Sequence, residues 1–153
     1  MHLGDVLNTR ILKPMHLLDT DTLTHLHAGN VRVLARLERL DDPVVGITII
    51  TKIELLRGRI EFLLKAANGE ETLRAQSLYE RTEVLLGDVL VTPSSPDAAK
   101  RFEQLRVASN TRALGRADLL IASIALTHRA TLVTRNLRHF RRVPGLSFEN
   151  WVD

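Results

Sequence analysis

The chain has 153 residues, 44% of them hydrophobic, which suits one domain with a real buried core and calls for no second. It has no cysteine, so disulfides, thiolate metal sites and sulfur redox chemistry are excluded, and a reducing compartment such as the cytoplasm is expected. Net charge is only +3, but 17 of the 21 basic residues are Arg, a bias that suits phosphates or an acidic partner and equally a genome favouring Arg codons.

Residues 1–14 read as an extension ahead of the domain, because the first strand-like run begins at Met15. The opening "MHLGDVLNTRILK" lacks the apolar core of a secretion signal. The longest strongly apolar run, "LLIASIAL", is far shorter than the roughly 20 residues a spanning helix needs. A soluble, unsecreted protein is expected. After "MHLLDT" come an amphipathic stretch from about Thr22, a break at Gly29-Asn30, a helical "VRVLARLERL" and a loop at Asp41-Asp42-Pro43. "VVGITII" is apolar and β-branched, as a buried parallel strand should be, and "TKIELLRGRIEFLLKAA" follows with helical spacing up to Asn68-Gly69.

A long helix from Glu70 to about Gly87 leads to a short strand "DVLVT". Ser95-Pro96 then opens a helix, with Ser at the cap and Pro at the first helical position, expected to run to near Gly115. "DLLIASIALTH" is apolar nearly all round and reads as the central buried helix. The strand "ATLVT", the basic run "RNLRHFRR", a turn at Pro144-Gly145 and a last strand "LSF" complete the chain. Alternating strands and helices predict an α/β fold in three layers, with a mainly parallel sheet of four to five strands.

In such a sheet ligands bind beyond the carboxyl ends of the strands. Asp19, closing the first strand, Glu54, expected in the first turn after the second, and Asp118, opening the central helix, all map there. Each has an ordinary explanation alone. "TKIE" (Thr51 to Glu54) fits a capping box, Asp19 or Asp21 can cap the helix at Thr22, and Asp118 can serve its own helix amides. Together, three converging carboxylates repel one another unless a cation lies between them, which suits a hard ion such as Mg²⁺ and activation of water against a phosphodiester. His25 and His27, two apart, diverge on a helix, and His2, His16 and His128 are isolated, so these five read as structural or surface residues.

Four segments in order, "LLDTDTL", "ITIITKIELLRGR", "GRADLLIASIAL" and "LVTRNLRHFRRVPGLSFENW", resemble the PIN domain, and specifically the VapC-type ribonuclease toxins of prokaryotic toxin–antitoxin pairs. The resemblance runs from about Met15 onward, giving a domain at 15–153. It implies a compact α/β/α fold, Mg²⁺- or Mn²⁺-dependent RNA cleavage, a homodimer, and inhibition by a cognate antitoxin whose tail enters the active-site groove. It puts the catalytic, metal-binding acids at Asp19, Glu54 and Asp118, with Asp21 in support, and matches Thr134 and Asn136 to polar residues after the last core strand. His139 departs from the pattern, standing where relatives often carry Asp or Glu. That departure puts a second metal position in doubt and makes His139 a phosphate donor or a tolerated replacement more than a ligand of a hard cation. Arg135, Arg138, Arg141 and Arg142 are expected to contact RNA or the antitoxin, the alternative being a solvated face.

Two rival readings stand beside this one. "DTDT" also resembles the nucleophile loop of haloacid dehalogenase-type phosphatases, with Asp19 attacking phosphorus, but the stretch from Thr131 to Arg142 has no acid to complete that site. The other is a PIN-like domain that binds RNA or a protein without cutting, supported by the missing fourth acid.

Overall fold

The computed structural model describes residues 14–41 and 43–153. The expected extension at 1–14 therefore lies outside the described residues except for Pro14, whose carbonyl accepts from the Val44 amide at 3.0 Å. In chain order the elements are β1 (Met15–Leu18), α1 (Thr20–His27), α2 (Val31–Arg39), β2 (Val44–Thr48), α3 (Ile49–Leu64), α4 (Gly69–Asp88), β3 (Leu90–Thr92), α5 (Pro96–Val107), α6 (Arg116–Thr127), β4 (Thr131–Val133), α7 (Leu137–Phe140) and β5 (Ser147–Glu149). A 3₁₀ turn, Ser109–Thr111, lies between α5 and α6.

All four strand pairings are parallel, in the order β3-β2-β1-β4-β5. The chain starts in the middle, builds outward through β2 and β3, then returns to the other flank of β1. That reversal leaves a crevice above the carboxyl ends of β1 and β4, where neighbouring connections diverge. Both faces of β1 are buried, Leu17 toward a cluster with α5 and α6, and Leu18 toward one with Leu23, Val33, Leu55 and Leu86. The result is the expected three layers, with α6 as the central buried helix and six of its twelve residues buried.

Several boundaries differ from the sequence reading. β2 ends at Thr48, and Ile49-Ile50 belong to α3 despite their β-branched character. The cap is Thr48, whose hydroxyl accepts from the Thr51 amide at 3.2 Å, so the capping box expected at Thr51–Glu54 is not used. Glu54 therefore falls in the second turn of α3 rather than the first. α1 starts at Thr20 with Asp19 as its cap, two residues earlier than expected. α5 stops at Val107, well short of Gly115, because Ala108 turns to extended backbone and the Thr111 hydroxyl takes up the Leu105 and Ala108 carbonyls. Gly46 answers to a close approach between strands: a Cβ there would stand 2.5 Å from the Leu90 carbonyl oxygen of β3.

Candidate active site

Asp19 is extended (φ −75°, ψ 175°) and joins β1 to α1. Its amide donates to the Val133 carbonyl at 3.0 Å, continuing the β1–β4 pairing for one more residue. The Thr22 hydroxyl, fully buried, donates to the same carbonyl at 3.2 Å and ties α1 to the end of β4. Asp19 Oδ1 accepts from the Thr22 amide at 2.8 Å. The carboxylate thus sits at a helix N-terminus, where amide dipoles favour negative charge.

Glu54 and Asp118 come from α3 and α6, whose N-termini lie at the same end of the sheet as α1. With Asp19, Asp21, Thr20, Asn136, Ile121 and Phe140 they line one cavity of about 200 Å³. No Lys or Arg lines it among the described residues. Larger hollows exist, including one of about 350 Å³ near the α3–α4 turn lined by Phe62, Lys65, Ala66, Glu71 and Arg74. We give the smaller cavity precedence, because it alone of these gathers the acids.

The acids feel one another. Burial pushes Glu54 above the ordinary carboxylate range, and Asp118 and Asp19 add to the push, while a hydrogen bond from the Thr20 hydroxyl at 3.3 Å opposes it. Glu54 is exposed when averaged over the residue, so this burial concerns its surroundings on the cavity side. Asp118 is also raised, by burial first and by Asp19 last, with the nearby His139 pulling the other way. In both groups burial leads and a neighbouring carboxylate adds to it. Among the described residues no three His, Asp or Glu side chains stand close enough to hold one ion unaided.

The loop after β4 forms the opposite wall. Thr134, fully buried, accepts from the Asn136 amide through its hydroxyl at 3.0 Å and fixes the turn into α7. The Asn136 side-chain nitrogen is 3.1 Å from Nδ1 of His139. Arg135 turns outward to Asp153, and Arg138, Arg141 and Arg142 are exposed and absent from the cavity lining. Asp19, Asp21, Glu54, Asp118 and Asn136 thus come together in one cavity, Thr134 and His139 border it, and the four arginines lie beyond it. Sequence reasoning missed Thr20, which carried a signal in its place directly after Asp19, and Asp153, which carried none because its contact is with a residue 18 positions away.

The PIN domain profile matches residues 16–146 of the chain. The chain belongs to the PIN domain family, and the phosphatase reading is set aside. The chain is 28% identical over 142 residues to Ribonuclease VapC1 of Haemophilus influenzae, spanning 90% of this chain and 98% of that protein. It is 36% identical over 73 residues to Ribonuclease VapC2 of Rickettsia felis, a match spanning about half the length (54%) of that relative. Its fold is shared with the crystal structure of VapBC2 from Rickettsia felis bound to a DNA fragment from their promoter, with a TM-score of 0.71 and 26% identity over 90% of this chain and 98% of that one.

Proposed function

We propose that the protein is a divalent-metal-dependent endoribonuclease, cleaving RNA phosphodiester bonds as the toxin of a toxin–antitoxin pair. The observation that carries this reading is the acid-lined cavity at the β1–β4 switch point, where burial first and neighbouring carboxylates after it raise Glu54 and Asp118, and where no Lys or Arg among the described residues lines the space. The donor set fits Mg²⁺ or Mn²⁺, which take oxygen ligands and retain waters. Asp19 and Asp118 would hold the ion directly. Glu54 would reach it directly or through water, consistent with three side chains too spread to close on one ion unaided.

When bound, such an ion offsets the carboxylates and supplies a water acidified for attack on phosphorus. The protein's own residues do the rest. Thr20 holds the Glu54 carboxylate by its hydroxyl, the cap bond from the Thr22 amide keeps the Asp19 carboxylate fixed against α1, and Asn136 and His139 offer donors to a phosphate on the opposite wall. Arg138, Arg141 and Arg142 extend a cationic surface from this wall for the RNA backbone or an acidic antitoxin segment.

A cognate antitoxin, a homodimeric assembly and a cytoplasmic setting belong to the same reading. Support for the antitoxin comes from relatives crystallised as VapBC complexes. No helix among the described residues is long and apolar enough to cross a membrane. The test is incubation of the purified protein with total RNA in Mg²⁺ or in EDTA. Cleavage is expected only with Mg²⁺ and is expected to vanish in Asp118→Asn. RNA binding without cleavage in any divalent ion would favour instead the non-cutting PIN-like domain, for which the His139 replacement is the supporting observation.

A further inference from the structure

Arg135 is held in an unusual way for a residue of a basic run. Asp153 grips it with both carboxylate oxygens, Nε to Oδ2 at 3.2 Å and Nη2 to Oδ1 at 3.1 Å. Asp153 is itself set in place, since Asn150 donates to Oδ2 at 2.9 Å and accepts the Val152 and Asp153 amides at 3.0 and 3.3 Å. The one remaining guanidinium nitrogen, Nη1, is 3.7 Å from Oδ2 of Asp21. Asp21 lines the acid cavity, two residues from Asp19, and its other oxygen lies 3.6 Å from His25. A bidentate grip fixes a guanidinium plane, whereas 3.7 Å is a loose contact that another anion can replace.

Stability does not account for this chain of contacts. Arg135, Asp21 and Asp153 are all about half exposed, and such pairs contribute little to folding. Their placement bears on the charge of the cavity instead. Four acids line it, and Arg135 is the cation facing one of them from just outside.

We infer that Arg135 is a switchable phosphate contact at the rim of the active site: clamped from behind by Asp153, it neutralises Asp21 in the free protein and exchanges Asp21 for an RNA phosphate on binding. The RNA half of this inference rests on the ribonuclease reading; the charge half does not. Two consequences follow with opposite signs. Removing Arg135 takes the guanidinium charge from Asp21 and leaves His25 beside it, so the cavity attracts a divalent cation more strongly. The same change removes a phosphate partner and exposes RNA to Asp21, so RNA is held more weakly.

The experiment compares the parent protein with Arg135→Ala in two measurements: Mn²⁺ binding followed by electron paramagnetic resonance, and binding of a short labelled single-stranded RNA in EDTA across a salt series. Arg135→Ala is expected to bind Mn²⁺ about threefold more tightly, a modest gain because the pair is exposed. It is expected to bind RNA about fivefold more weakly, with the log–log salt slope reduced by about 0.7 for one lost contact to a single strand. Arg135→Lys keeps the charge and should return Mn²⁺ affinity to the parent value. In the Asp21→Asn background, Arg135→Ala should leave Mn²⁺ affinity nearly unchanged. Thermal unfolding should be unaffected throughout. Mn²⁺ affinity that is unchanged or weakened in Arg135→Ala overturns the charge role, and unchanged RNA affinity overturns the exchange. A parent protein that neither binds nor cuts RNA overturns the ribonuclease reading and the exchange together, while the Mn²⁺ titration still decides the charge role by itself.

Discussion

Asp19 has two carboxylate oxygens, and the fold uses one of them. Oδ1 accepts the Thr22 amide at 2.8 Å, while Oδ2 makes no hydrogen bond to a described residue. One side chain therefore caps the helix and keeps an oxygen free for the proposed ion, so the two roles that the sequence left as alternatives are compatible. Asn caps a helix about as well as Asp, so Asp19→Asn should cost under about 1 kcal/mol of stability. It deletes a charge from the ion's cage, so Mg²⁺-dependent cleavage should fall by about 100-fold or more. Asp21→Asn should be milder, because Asp21 meets Arg135 and His25 and caps nothing. Denaturation midpoints and cleavage rates for both variants check the pair of expectations, and equal cleavage by Asp19→Asn and the parent would remove Asp19 from the cage.

At the level of elements, Thr48 is the residue that sets Glu54. It ends β2, caps α3 through the Thr51 amide, and is fully buried. Thr48→Ala should cost about 1 kcal/mol and fray the first turn of α3, shifting Glu54 relative to Asp118 and slowing cleavage several-fold; Thr48→Ser should restore both. A stability loss with unchanged cleavage would separate the cap from the site. Thr48 also explains where the sequence misleads. Val44 through Ile50 is one β-branched run, and local pattern alone offers no reason to stop the strand at its fifth residue. The stop comes from tertiary packing, with Ile49 and Ile50 against the α5–α6 core. The order of strands and helices was legible because strand and helix periods differ. So were the three acids of the cavity, although Glu54 lies a turn deeper in its helix than the sequence suggested. The switch between β1 and β4 that brings them together is a property of the sheet order, which no local stretch encodes.

For the whole molecule, the raised pKa values of Glu54 and Asp118 turn the site into a cost on folding. Glu54 and Asp118 hold their protons more tightly in the folded chain than at their ordinary values of 4.5 and 3.8. Between the ordinary and the raised value the folded state binds more protons than the unfolded one, so stability falls as pH rises through that window. Above that window the metal-free protein carries the cost of burying these carboxylates, with their repulsion added to it. A cation bound there, as proposed, would offset it. With Mg²⁺ at about 100 times its dissociation constant the gain is about 2.7 kcal/mol, which for a chain of this size raises the melting temperature by roughly 5–10 °C. The increment should be largest at neutral pH and shrink as acid protonates Glu54 and Asp118. Asp118→Asn should behave in the opposite sense to a damaging mutation, raising the melting temperature in EDTA while losing the Mg²⁺ increment. Thermal melts of the parent and of Asp118→Asn, in EDTA and in Mg²⁺ from mildly acidic to neutral pH, measure this. A Mg²⁺ increment that persists in Asp118→Asn, or one in the parent that grows toward acid pH, would place the cation away from these carboxylates.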